Sequence, residues 1–328
     1  MRSLWLSLLA VSAAFAQTAS LTGRVTDPSG AIVPQAAVTV QSVDSSVSTT
    51  VQSNEQGYYN FPSLLPGSYN LSVSKAGFKP VRQTNLALAV QQAARIDLTL
   101  EVGAVTETVD VSAQAVLLDS ESSTVGQVVG TKQIAELPLL GRNPYALGML
   151  VPGVRQAIGV NNLPIDQIST VSITINGQRA SANEFLLDGA PNTAPSQNQP
   201  VINANPDAVL EFKVETNSFS AEYGRASGGI FNVITKSGTN DPHATLYEFL
   251  RNDKLNANDW FANRAGSARP PFKFNQFGGS LGAPVVIPHV YNGKNKTFIF
   301  GYAEIVRFVQ GITFTGTIDN GILEAILR

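Results

Sequence analysis

Ala37-Val38-Thr39-Val40 and Tyr69-Asn70-Leu71-Ser72-Val73 alternate apolar with polar side chains at the period of two that a half-buried strand requires. Short runs of this kind fill Ser20 to Leu100, separated by turn clusters such as Asp27-Pro28-Ser29-Gly30 and Pro66-Gly67. Such spacing predicts a small antiparallel β-sandwich. Gly30, Gly57 and Gly67 fall where turns need positive φ, and the aromatics Tyr58, Phe61, Tyr69 and Phe78 are expected to fill the core.

Working outward toward the N-terminus, Arg2 supplies a positive charge, Leu4 to Ala13 an apolar run, and Ala14-Phe15-Ala16 a small-x-small site. This pattern predicts a signal peptide over 1–16, cleaved before Gln17. The apolar run is well short of the ~20 residues that span a bilayer. No later stretch is long and apolar enough for a transmembrane helix, so any insertion would be through strands.

The chain has 328 residues, enough for two or three domains. A formal net charge of -2 and a charged fraction of 14% provide no basic field for a nucleic-acid backbone. The absence of cysteine excludes disulfide frameworks, thiolate metal sites and cysteine nucleophiles. The two histidines, His243 and His289, belong to no H-x-x-E or H-E-x-x-H pair, so a catalytic zinc has no local nucleus. Gly278-Gly279-Ser280-Leu281-Gly282 has the spacing of a nucleophile elbow, but Pro284 and a β-rich continuation argue against the strand-to-helix passage that an elbow needs. The carboxylate pairs Asp207 with Glu211 and Glu215 with Glu222 read as solvated loop and strand faces. No catalytic, metal-binding or cofactor-binding residue is expected.

Several blocks carry a resemblance. Gly23-Arg24-Val25-Thr26-Asp27, Gly30, Ala37-Val38, Gly57-Tyr58-Tyr59-Asn60-Phe61, Leu65-Pro66-Gly67-Ser68-Tyr69 and Gly77-Phe78 resemble, in order and spacing, the carboxypeptidase-regulatory-like domain. That resemblance implies a transthyretin- or Ig-like sandwich over 17–100. In the linker 101–115, Glu107-Thr108-Val109-Asp110-Val111-Ser112-Ala113 resembles a TonB box, an extended segment that adds a strand to the periplasmic protein TonB. Val109 and Val111 share one face of such a strand.

Ile134-Ala135-Glu136-Leu137-Pro138, Leu140-Gly141-Arg142-Asn143 and Leu150-Val151-Pro152-Gly153-Val154 look like the opening of a TonB-receptor plug domain, placed at 116–239. The likeness continues through Ile175-Asn176-Gly177-Gln178-Arg179 and Phe185-Leu186-Leu187-Asp188-Gly189, with hairpin-like turns at Gly177 and Asp188-Gly189. Its most specific part is Val209-Leu210-Glu211-Phe212-Lys213-Val214, Ala221-Glu222-Tyr223-Gly224-Arg225, Gly228-Gly229 and Asn232 to Gly238. A phosphate-binding βα unit is the rival for that stretch, but no G-x-G-x-x-G opens a helix there. Ala190 to Pro206 has loop composition and, in a receptor, is placed to face substrate.

After Thr239, Leu246 to Arg251, Phe274 to Gly282 and Thr297 to Tyr302 read as the first strands of an outer-membrane barrel over 240–328. Even the smallest single-chain barrels need about eight strands, so this barrel is not expected to close, and the chain reads as truncated. Thr315 to Arg328 drifts into a helix-like Ile322-Leu323-Glu324-Ala325-Ile326-Leu327. The whole order is similar to a TonB-dependent receptor of the Oar-like type.

That resemblance implies an importer in the outer membrane, with sandwich and box in the periplasm. TonB with its ExbB/ExbD energising complex, outer-membrane lipid, and a small-molecule, glycan or peptide substrate are its implied partners. The alternatives are a secreted Ig-like binding or adhesion protein, including a carbohydrate-binding one, and a non-functional receptor fragment.

Overall fold

The computed structural model describes residues 18–103, 122–139, 142–156, 172–195 and 198–311, and the backbone of 109–112. The predicted signal peptide, Glu107, Thr108, Ala113, Leu140-Gly141 and the helix-like Ile322 to Leu327 lie outside the described residues. The chain is mainly β, and it divides into one unit of residues 1–244 and 281–301 and another of 245–280 and 302–328.

In the first unit the sandwich comes first. Strands β1 (Ala19–Thr26), β2 (Ala37–Ser42), β3 (Ser48–Gln52), β4 (Tyr58–Leu64), β5 (Gly67–Ser74), β6 (Val81–Leu88), β7 (Ala93–Arg95), β8 (Leu98–Thr99) and β9 (Val109–Ser112) form two sheets. One has the order β4-β1-β7 with β8 also on β1, and the other the order β3-β2-β5-β6-β9. The alternation seen in the sequence sorts side chains: Val38, Val40, Leu71 and Val73 point into the core between the sheets, and Thr39 and Ser72 point out. Gly30, Gly57 and Gly67 all have positive φ, at 85°, 77° and 149°.

Two expectations are corrected here. Tyr58 is not core: it is 45% exposed, and the Arg24 guanidinium lies over its ring at 5.5 Å. The period of two puts its neighbour Tyr59 inside instead, with Phe61, and the Tyr59 hydroxyl donates to Ile96 O at 2.6 Å. Burial of that phenol raises its pKa. The sandwich is also not wholly antiparallel, because β7 and β8 run parallel to β1 and β9 runs parallel to β6. After β6 the chain crosses to the other sheet and meets β1 in its own direction, which a hairpin could not give.

The second core belongs to an α+β plug-type sheet. Strands β10 (Val125–Val129), β11 (Val154–Gln156), β12 (Ile173–Ile175), β13 (Glu184–Leu187), β14 (Ala190–Pro191), β15 (Val209–Asn217) and β16 (Ile230–Thr235) contribute. Five of them form a sheet of order β10-β15-β16-β13-β14, and among the described residues β11 and β12 form a separate two-stranded sheet. Helix α1 (Thr131–Glu136) buries Ile134 and stops at Leu137, which is extended because Pro138 follows. A 3₁₀ turn over Pro144–Leu150 sets Tyr145 edge-on against both rings of the stacked pair Phe185 and Phe231.

In the second unit, most of β17 (His243–Asn252) and parts of β18 (Phe272–Pro284) and β21 (Phe298–Gln310) lie side by side in the order β17-β18-β21. The Tyr247 hydroxyl donates to Glu304 Oε2 at 2.9 Å across that sheet. Helix α2 (Trp260–Arg264) is capped by the Asp259 carboxylate, which accepts from Phe261 N at 2.8 Å. The short β19 (Val286–Ile287) and β20 (Tyr291–Asn292) pair within the first unit. The nucleophile-elbow spacing at Gly278 to Gly282 lies wholly inside β18, so its serine sits on a continuous strand.

Candidate functional site

The plug signature resolves into turns and close approaches. Asn176 and Gly177 have φ of 50° and 77°, and Asn176 Nδ2 donates to Thr216 O at 2.9 Å. That turn does not close a hairpin, because β12 pairs back to β11 and the chain passes through a 3₁₀ turn that begins after Arg179. Asp188 and Gly189, with φ of 46° and 82°, do close one, joining β13 to β14. The Asp188 carboxylate then clamps β16 by accepting from both the amide and the hydroxyl of Thr235, each at 2.8 Å.

Gly228 and Gly229 are needed for space. A Cβ on Gly228 would lie 2.5 Å from Asn183 Oδ1, and one on Gly229 would lie 2.3 Å from Ile175 Cδ1 and 2.7 Å from Glu215 O. Glu222, Gly224 and Arg225 are exposed in the loop between β15 and β16. The signature thus shapes the plug's turns and close approaches, and of its members Asn176, Gly177, Arg179 and Asp188 are exposed as well as these three, while Gly228 and Gly229 are buried.

Four carboxylates expected to be solvated divide differently. Asp207 is ion-paired with Arg142, a half-buried residue at φ 53°. Glu222 is exposed as expected. Glu215 is buried, 3.3 Å from Lys213 Nζ, with its Oε2 lacking a hydrogen-bond partner among the described residues. Glu211 is mostly withdrawn from water, and its Oε1 accepts from Val90 N of the sandwich.

Glu211 and its neighbour Lys213 face the sandwich rather than water. Lys213 Nζ donates to Gln91 O at 3.3 Å, and Gln91 Nε2 donates to the Tyr223 hydroxyl. Thr18, Ser20 and Gln91 from the sandwich, with Lys213, Glu215 and Tyr223, line a polar cavity of roughly 330 Å³. Sequence alone could not place these side chains, since β15 reads as one run whose polar members meet a second domain.

Burial raises the Glu211 carboxyl from 4.5 to about 7, partly offset by the bond from Val90. The folded state therefore holds this proton more tightly than the unfolded chain. Its ionisation penalty is absent below pH 4.5 and complete above about pH 7, so stability falls as pH rises through that window. Glu211→Gln is expected to flatten this part of the profile and to raise the thermal midpoint at pH 8. An unchanged slope in the variant would rule out Glu211 as the source.

Among the described residues, no group of three His, Cys, Asp or Glu could hold a metal ion, and no helix is long and apolar enough to cross a membrane. The box-like segment is described only over β9, where it is extended and paired by its main chain to β6.

Residues 20–101 match the carboxypeptidase regulatory-like domain, and residues 234–320 match an outer membrane β-barrel domain. Over 319 residues, 90% of the chain, the sequence is 27% identical to the TonB-dependent transporter Oar of Myxococcus xanthus. It spans 27% of the length of that relative. The chain is also similar to the siderophore receptor PirA of Acinetobacter baumannii, at 21% identity and a TM-score of 0.38 over 55% of this chain and 24% of that one. To the outer membrane transporter YddB of Escherichia coli it is 19% identical, with a TM-score of 0.41 over 49% of this chain and 24% of that one. These relatives are transporters and receptors, not enzymes.

Proposed function

We propose that this chain is the N-terminal portion of an outer-membrane transporter that binds a substrate outside and imports it with energy delivered through TonB, itself energised by ExbB/ExbD. The domain order expected from the sequence, 17–100 sandwich, 101–115 linker with the box, 116–239 plug and 240–328 barrel start, belongs to this reading. So do export by the 1–16 signal peptide and a periplasmic sandwich and box. Arg179, Glu222 and Arg225, exposed in the plug, and the 190–206 loop are surfaces for contacts with substrate or barrel.

The observation that carries the reading is β9. Between the sandwich and the plug sheet, Val109–Ser112 is extended and joined to another strand through its main chain. Strand addition to TonB requires that same conformation, with main-chain bonds giving affinity and alternate side chains giving register. Proline at position 109 would remove one donor and fix φ near -65°.

Binding of the full chain to the purified periplasmic domain of TonB is the test. Val109→Pro is expected to weaken it at least about tenfold, the loss that one missing charge-free hydrogen bond and a broken register produce together. Unchanged affinity would remove the box from Glu107 to Ala113.

A further inference from the structure

We infer that the sandwich domain is a latch for the segment that TonB takes, holding it as the edge strand of its own sheet until a partner strand displaces it. This deepens the box assignment and rests on it. β9 lies at the end of the order β3-β2-β5-β6-β9, and β6 lies between it and β5. The register is continuous: Val81 pairs with Val109, Arg82 with Asp110, Gln83 with Val111 and Thr84 with Ser112.

A strand residue turns its N–H and C=O to the same side, and its neighbour turns them to the other. Docked on β6, β9 therefore has the main-chain groups of half its residues committed to the sandwich, and it offers a partner only the other half. A strand-adding partner gains the full set only when β9 leaves β6.

The dock is built to be left. It is four residues long and parallel, the less stable kind of pairing per residue, and it sits on the outermost edge of the sheet. β6 keeps its antiparallel pairing to β5 from Gly67↔Leu88 to Val73↔Val81 whether β9 is present or not. The core cluster among the described residues, from Ala19 to Leu100, already draws on both sheets. Only the docked fraction is unavailable to TonB, so the apparent affinity of the chain falls by the undocked fraction.

The chain contains no cysteine, so an introduced pair can form only the intended disulfide. Two in-register pairs, Arg82→Cys with Asp110→Cys and Gln83→Cys with Val111→Cys, keep an effect of one lost side chain apart from latching. Neighbouring strand positions are within the Cα separation that a disulfide spans. In the full chain, both pairs are expected to close under mild oxidation. Binding of the purified periplasmic domain of TonB should then drop at least tenfold in the oxidised proteins and return on reduction. A synthetic peptide of residues 105–115 should bind the same domain several-fold more tightly than the unmodified chain.

If neither pair closes, or if the closed proteins bind as well as the reduced ones, the latch is overturned. It is also overturned if the peptide binds but no more tightly than the chain. A peptide that fails to bind at all overturns the box assignment itself, a result distinct from each of the others.

Discussion

Phe231→Ala is expected to destabilise the plug sheet by about 4 kcal/mol, within the range for emptying a buried aromatic site. Phe231 is wholly buried on β16, stacked on Phe185 at 5.0 Å and 15°, with Tyr145 edge-on at 6.1 Å. Gly148 closes the far side so tightly that a Cβ there would lie 2.7 Å from the Phe231 ring. The cavity left by alanine therefore lies between a sheet and a 3₁₀ turn held by its Asn143 cap, neither of which can collapse into it readily. The effect should spread, since the Tyr145 hydroxyl accepts from Asn192 Nδ2, and Asn192 Oδ1 in turn accepts from Ile202 N at 2.8 Å. Denaturant unfolding followed by Tyr and Trp signals measures the loss, and protease cleavage within 190–206 reports its spread. A change below about 1 kcal/mol would mean that the three-ring cluster is not the plug's core.

In the sandwich the counterpart is Gly23→Ala, a change of one methyl group with an expected cost of about 4 kcal/mol from overpacking and a lost buried hydrogen bond together. The added Cβ would lie 1.7 Å from Ile96 O and 2.7 Å from the Tyr59 hydroxyl. Neither neighbour is a flexible tip. Ile96 is tied to β1 by its N–H to Thr22 O at 2.8 Å, and its carbonyl receives the Tyr59 hydroxyl. The methyl group must push this segment away from β1 and strand a buried phenol. Tyr59→Phe removes the hydrogen bond without the clash and is expected to cost only about 1 kcal/mol. If Gly23→Ala proves no worse than Tyr59→Phe, the steric account is wrong.

The sequence makes the sandwich legible because its strands carry their own instructions. Alternation at Ala37 to Val40 and Tyr69 to Val73, and glycines at three turns, determine what lies inside and where the chain reverses. The same rule, applied residue by residue, would have exchanged Tyr58 for Tyr59. What alternation cannot supply is the neighbour of an edge strand: nothing in Val109–Ser112 names β6, and nothing in Ala93 to Thr99 foretells parallel pairing with β1. In the plug, Asp188-Gly189 announces its hairpin, whereas Asn176-Gly177 has the same local signal and a different tertiary use. Glu211, Lys213 and Glu215 were hidden for a related reason. Their polarity suggests solvent, and only a second domain, reached through Val90 and Gln91, withdraws them from it.

The register of the plug sheet also fixes how it would bear tension. β10 runs from Val125, beside Asn217 of β15, to Val129, beside Phe212. β16 leaves the same sheet at the opposite end, where Thr235 pairs with Val209, and the chain reaches β17 eight residues later. A pull entering ahead of Val125 and resisted beyond Thr235 therefore acts at opposite ends of β15. It would load the two ladders flanking β15 in shear, with their hydrogen bonds sharing the strain at once, rather than unzip them one at a time from a free end. A sheet wired in this way yields abruptly above a threshold force and holds firm below it.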